Sequence, residues 1–250
     1  MSYCQNLCRC ALFLSLLFLS ACTPKTLVPI PLMEYGQIGK SGNTSLLVLL
    51  RGIGGDFTDF EKYGLIDQVR ARELPFDIIV PDAHYGYYKD ETITQRLKQD
   101  IIDPARTRGY RKIWLAGFSM GGLGSLFYLR DHPLDIDGVI LVSPFIGWGA
   151  IRQEIKQAGG IRSWSPEQSK IDDWQFLIWS FVRTYTQNQE NYPPIYLGYG
   201  QDDGLAGHGG ELLAAALDEK RVFVLPGGHN YSTFKAIWSE HLDRLETQLQ

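Results

Sequence analysis

The sequence predicts an α/β fold on a mostly parallel sheet, and three observations carry that expectation. Short apolar runs recur along the chain, amphipathic stretches of helical length separate them, and the runs are apolar at nearly every position. Strand and helix in alternation is the pattern of parallel strands joined by crossover helices. Runs without polar alternation are strands covered on both faces, so helices should lie on either side of the sheet.

Taken in order, EYGQI (34–38) offers a short first strand, and LLVLL (46–50), FDIIV (76–80), IWLAG (113–117), GVILV (138–142), PIYLGY (194–199) and RVFVL (221–225) follow it. Helices are expected near 59–73, 91–107, 120–131, 210–219 and 233–249. One interval breaks the rhythm. From 143 to 193 the chain spends more residues than a crossover helix and its loops require. Four of the six tryptophans fall there (Trp148, Trp164, Trp174 and Trp179), with Phe145, Phe176 and Phe181. This reads as a helical, Trp-rich cap insertion over the carboxyl ends of the strands, part core and part pocket wall.

The 250 residues are 44% hydrophobic and 21% charged, which suits one large domain with a substantial core. A net charge of −4 with scattered basic residues argues against a nucleic-acid surface. The first 21 residues read as an export signal: a weakly basic start, then ALFLSLLFLSA, too short to span a bilayer. Leu19-Ser20-Ala21-Cys22 resembles the lipobox of bacterial lipoproteins, which implies a lipid on Cys22 as the mature N-terminus. Thr23, in place of the aspartate that marks inner-membrane retention, implies an outer-membrane address facing the periplasm. All four cysteines lie in positions 1–22, so only Cys22 would survive processing and no disulfide would form; Cys8 and Cys10 beside the export segment are not read as a metal site. Residues 22–31, with prolines at 24, 29 and 31, read as an extended tether, and the folded domain as 32–250.

Chemistry concentrates in LAGFSMGGLGS (115–125), where Ser119 follows a strand and precedes a helix. A serine on such a sharp strand-to-helix turn lifts its hydroxyl above the sheet, and glycines at 117 and 121 clear the crossing. The Met120 N–H opens the helix without an intrahelical acceptor and can face an anionic oxygen. A serine hydroxyl needs a base to take its proton and a carboxylate to orient that base. Of five histidines, His229 in VLPGGHNYSTF follows the last strand on a Gly-Gly loop and is the expected base. His84 could line the pocket, His208 suits a helix cap or the pocket rim, and His132 and His241 suit surface roles on or near helices. The acid is expected after PIYLGY, where Asp202 and Asp203 are both available.

RGIGG (51–55), GFSMGG (117–122), GYGQDDGLA (198–206) and GGHN (227–230) together resemble the α/β-hydrolase family over nearly all the chain from about residue 44. The resemblance implies a Ser119, Asp203, His229 triad in the family's chain order, with Asp202 as the alternative acid. It also implies that RGIGG stands for the family's HGxGG loop, making the Ile53 N–H a second oxyanion donor beside Met120. Arg51 replaces the usual histidine. The expected activity is acyl transfer through an acyl-enzyme, first of all hydrolysis of a small or medium carboxylic ester. No cofactor, metal, nucleic-acid or protein partner is called for. Thioesterase, acyltransferase and peptidase chemistry use the same triad, and a non-catalytic binding lipoprotein could use the same scaffold. GQIGKSG (36–42) is not a P-loop, because Glu34 stands where its first glycine is needed, and RGIGGD lacks the spacing of a dinucleotide turn.

Overall fold

Seven strands form one sheet in the order β1-β3-β2-β4-β5-β6-β7, in a computed structural model that describes residues 23–36, 44–167, 170 and 172–249. The strands are β1 Leu32–Tyr35, β2 Ser45–Leu50, β3 Asp77–Pro81, β4 Lys112–Phe118, β5 Gly138–Val142, β6 Ile195–Gly200 and β7 Val222–Leu225. β1 runs antiparallel to β3, with Leu32 opposite Pro81, and every other neighbouring pair is parallel. The helices are α1 Asp59–Lys62, α2 Leu65–Ala71, α3 Tyr85–Lys89, α4 Ile93–Leu97, α5 Asp103–Thr107, α6 Met120–Asp131, α7 Gly149–Gln157, α8 Trp174–Gln187, α9 Gly207–Ala214 and α10 Tyr231–Leu249.

Strand periodicity sorts the core into two layers. Leu46, Val48 and Leu50 of β2 enter one cluster with α4, α6, α8 and α9, whereas Leu47 and Leu49 enter the other with α2 and α10. Side chains alternate across a pleated strand, so a strand buried on both faces must be apolar at each position. Each fully buried leucine contributes about 1.5–3 kcal/mol.

Three expectations about the elements change. EYGQI (34–38) begins the first strand too late: β1 spans 32–35, and residues 37–43 lie outside the described set, as do most of GQIGKSG and the whole of 1–22 with Cys22. The helix expected over 59–73 is two, broken at Gly64 with φ +71°. The interval 143–193 divides: α8 is the ordinary crossover helix, its Phe176, Ile178, Trp179, Phe181, Val182 and Tyr185 buried in the same core as α6. The Ile195 N–H at the start of β6 donates to the Tyr185 hydroxyl at 3.2 Å. The excess chain is therefore 143–173, with Trp164 buried and Trp148 57% exposed.

The described part of the expected tether is docked rather than free. The Leu27 N–H donates to the Tyr87 hydroxyl at 3.0 Å, and that hydroxyl donates to the Leu27 carbonyl at 3.0 Å. The Ile30 N–H donates to Asp100 at 2.9 Å, and Ile30 is buried. Backbone polar groups that meet fixed partners give up solvation without loss, so the proline-rich composition does not keep the segment loose.

His241, expected at the surface, is buried on α10 against the sheet. Its Nε2–H donates to the Leu141 carbonyl at 3.1 Å, and burial pushes its pKa down to about 3. Between pH 3 and the ordinary value of 6.5 the unfolded chain takes up a proton here that the folded chain refuses. Stability contributed by this neutral imidazole is complete above pH 6.5 and falls as pH drops through that window, by up to about 1.4 kcal/mol per pH unit. His241→Gln, which keeps a donor and cannot titrate, should flatten the pH dependence of the urea midpoint between pH 6.5 and 4.5. An unchanged slope would assign the acid sensitivity to other groups.

Candidate active site

Ser119 sits at the junction of β4 and α6 with φ 52° and ψ −116°, a region that L-residues avoid. Three backbone hydrogen bonds hold it there. Its N–H donates to the Val142 carbonyl at the end of β5 (3.0 Å), and its carbonyl accepts from Gly122 and Phe145 (2.9 Å each). A Cβ on Gly117 would collide with the backbone of Gly121, and one on Gly121 would collide with the Leu50 carbonyl of β2. The turn thus closes only because β2, β4 and α6 approach at glycine. Ser119 itself is 4% exposed.

His229 leaves β7 through Gly227, whose φ of +127° turns the chain back over the strand ends. Its Nε2 lies 2.8 Å from Ser119 Oγ and its Nδ1 lies 2.8 Å from Asp203 Oδ2. In the tautomer that fits, Nδ1–H donates to the carboxylate and Nε2 accepts from the hydroxyl. The edge of Phe234 packs against the imidazole at a centroid separation of 4.9 Å. Asp203 is buried, and its Oδ1 accepts from the Leu205 N–H (3.1 Å) and the Ala206 N–H (2.8 Å). Burial acts to raise the Asp203 pKa. Hydrogen bonds from His229 and Ala206, the imidazole's charge and Ser143 outweigh it and hold the carboxyl below the usual range. Asp202 is exposed and meets the histidine loop through its backbone N–H, which donates to Gly227 at 3.0 Å.

The loop 51–55 crosses over this serine. A Cβ on Gly52 would stand 3.3 Å from Ser119 Cβ, and Ile53 lines one cavity with Ser119 and Met120. Arg51 is buried; its guanidinium donates to the Gly55 carbonyl and pairs with Asp82 at 3.1 Å. It therefore clamps both ends of the loop and ties it to the end of β3. Sequence reading missed this clamp, although an arginine opening a glycine-rich loop was its visible signal. Tyr231, two residues past His229, donates to Asp59 at 2.9 Å, and so joins the histidine loop to the chain that follows 51–55.

The remaining histidines stand apart. His84 is a buried N-cap of α3 whose Nδ1 accepts from the Gly86 N–H at 3.0 Å, not a pocket residue, and His208 is exposed on α9 at 3.6 Å from Glu211. The cavity measures about 630 Å³, within the range of small-molecule sites. One wall is a single face of α6, Met120, Leu123, Phe127, Arg130 and Asp131; Tyr85, Tyr88, Phe145, Trp148 and Trp174 line other parts, with Glu91 and Asp172 among the polar lining residues. No cluster of His, Cys, Asp or Glu fit to hold a metal occurs among the described residues.

Residues 91–192 match the family described as Serine aminopeptidase, S33, a stretch that includes Ser119 and stops short of Asp203 and His229. No curated protein matches the chain in sequence. Among solved structures, S-formylglutathione hydrolase from Staphylococcus aureus aligns over 81% of each chain at 14% identity and a TM-score of 0.56. Est1E from Butyrivibrio proteoclasticus aligns over 89% of this chain and 96% of its own, at 19% identity and a TM-score of 0.57. Monoacylglycerol lipase from Paleococcus ferrophilus aligns over 85% and 98%, at 17% identity and a TM-score of 0.53. The chain has the α/β-hydrolase fold.

The crossing at Gly121 yields a direct test of the turn. Gly121→Ala should lower stability by about 1–3 kcal/mol, a fall of several degrees in Tm for a chain of this size. Gly149→Ala, where an added Cβ meets nothing within 4 Å, should leave Tm within about a degree. Equal melting of the two variants would mean that the crossing is not tight.

Proposed function

We propose that the chain is a serine hydrolase that works through an acyl-enzyme, with carboxylic esters of small or medium acyl chains as substrates. The observation that carries this reading is the unbroken relay from Ser119 Oγ through His229 to the buried Asp203, with 2.8 Å at both links. As Ser119 Oγ attacks the ester carbonyl and the new O–C bond forms, its proton passes to His229 Nε2. Asp203 stabilises the resulting imidazolium and holds its orientation. The tetrahedral oxyanion is received by the N–H groups of Met120 and Ile53. Collapse breaks the bond to the alcohol, which leaves with the proton from His229. Water, activated by the same imidazole, then releases the acid and restores Ser119.

Aromatic walls support an apolar acyl or alcohol group. A second reading, cleavage of an amide beside a free amine, draws on the aminopeptidase family matched over 91–192 and on Glu91 and Asp172, carboxylates that line the cavity. Esters and aminoacyl amides with the same acyl group separate the two. The address is a proposal of the same standing: a lipid on Cys22 anchors the protein to the outer membrane facing the periplasm. Its support is Leu19-Ser20-Ala21-Cys22 followed by Thr23. No described helix is long and apolar enough to cross a membrane.

A fluorophosphonate should label the wild type and not Ser119→Ala, and Asp203→Asn should lower kcat by orders of magnitude where Asp202→Asn has a modest effect. Labelling that survives the serine substitution would remove Ser119 from this role, and the reverse ranking of the aspartates would move the acid to Asp202.

Mass spectrometry of the mature N-terminus should find a lipid-modified Cys22. Cys22→Ser should accumulate unprocessed or misplaced while the domain keeps its fold. An unmodified terminus at or beyond Cys22 would make the protein an ordinary secreted one.

A further inference from the structure

The direction of β1 decides where the N-terminus leaves the domain. Because β1 is antiparallel to β3, its first residue, Leu32, pairs with the last residue of β3, Pro81. The chain before β1 therefore emerges at the carboxyl ends of the parallel strands, the end that bears Ser119, Asp203 and His229. It is then fastened along α3: Leu27 is hydrogen-bonded to Tyr87 through both its N–H and its carbonyl, and the Thr26 hydroxyl donates to Asp90 at 3.1 Å. Pro24 lies so close to Gly86 that no Cβ would fit between them. The other side of α3, with Tyr85 and Tyr88, faces the cavity. Pro24 thus lies beside α3, whose other side is a wall of the cavity.

The cavity mouth carries several exposed apolar side chains. Ile53, Tyr85, Trp148 and Leu205 are 57%, 42%, 57% and 40% exposed, and all four line the cavity, so they form its rim. Leu27 and Val28, on the segment docked along α3, are 51% and 73% exposed. Leu134, 92% exposed, lies beyond the C-terminal end of α6, at the opposite end of the sheet. Tryptophan and tyrosine at a rim suit the headgroup region of a bilayer, which accepts rings that are apolar over most of their surface and polar at one edge.

We propose that the domain rests with the strand carboxyl ends against the bilayer surface, so that the apolar rim contacts lipid and the cavity takes acyl esters resident in that leaflet. The inference rests on the lipid-anchored hydrolase reading above. A tether of ten free residues would let the domain tumble, whereas a segment pinned to α3 holds the cavity mouth toward the membrane. The rim then shortens the path of an amphipathic ester from lipid to Ser119, because its acyl chain need not cross water.

The test uses the full chain, lipidated and reconstituted in phosphatidylcholine vesicles, with an environment-sensitive fluorophore on Trp148→Cys, on Tyr85→Cys or on Leu134→Cys. Expected are blue-shifted emission at 148 and 85, quenching there by brominated acyl chains at least twofold greater than at 134, and water-like emission at 134. Equal responses at the two ends, a stronger response at 134, or failure of the chain to stay on vesicles would overturn the orientation. A long-chain ester placed in the enzyme's own vesicles should be hydrolysed at least tenfold faster than the same ester in separate vesicles, and equal rates would overturn the substrate assignment. Fluorophosphonate labelling of the lipidated wild type in the same vesicles keeps the readings apart. Labelling with a flat probe response removes only the orientation, and the expected probe response without labelling removes the hydrolase reading.

Discussion

The site depends on one strained backbone conformation. Ser119 at φ 52° costs on the order of 1–3 kcal/mol, and three hydrogen bonds from neighbouring elements, each contributing about 0.5–1.5 kcal/mol, offset it. Their partners lie on the end of β5, on the first turn of α6 and in the loop after β5. The hydroxyl is therefore positioned by the sheet itself, and the turn persists because the elements around it cannot relax separately. Gly117, Gly121 and the Leu50 carbonyl meet at the point of closest approach, which makes the strand ends and the helix start one rigid unit.

Electrostatics then builds outward from that unit. Asp203 is buried, and an isolated carboxylate there would be protonated or would destabilise the fold. Two backbone N–H groups on one oxygen and the imidazole on the other keep it charged. A preorganised anion of this kind fixes the His229 ring before any substrate arrives. Arg51 does the corresponding work for the loop over the serine. A buried guanidinium is tolerable only when it is paired, and its partners, Asp82 and the Gly55 carbonyl, are the points that shape the loop.

Edge topology adds a second level of placement. β7 and β1 close the two margins of the sheet, and each delivers chain to the active end, His229 from one side and residues 23–31 from the other. Parallel strands gather their carboxyl ends at one rim, where binding groups collect in this architecture. The antiparallel β1 brings the N-terminal segment to that rim as well. The Ser119, His229 and Asp203 cluster and the N-terminal segment thus share one end of the molecule for a topological reason.

Local patterning determined much of this. Six of the strands lie within a residue or two of their apolar runs, because burial on both faces leaves no room for polar alternation, and α6 begins and ends where its sequence says. The serine, the histidine and the two aspartates could be named from spacing and turn chemistry, since a glycine-flanked serine on a strand-to-helix turn and a Gly-Gly histidine loop are local devices. The resemblance ranked Asp203 ahead of Asp202, but only tertiary structure supplied the physical difference, because adjacent residues on a turn differ in burial and partners and not in local preference. The same holds for Arg51, whose partner Asp82 follows β3 thirty-one residues on, for His241, which is buried by a sheet it meets a hundred residues away, and for α8, whose tryptophans read equally well as cap or core. Residues 22–31 read as a tether because composition reports how a segment behaves alone, and Tyr87 and Asp100, which hold Leu27 and Ile30, lie 60 and 70 residues distant.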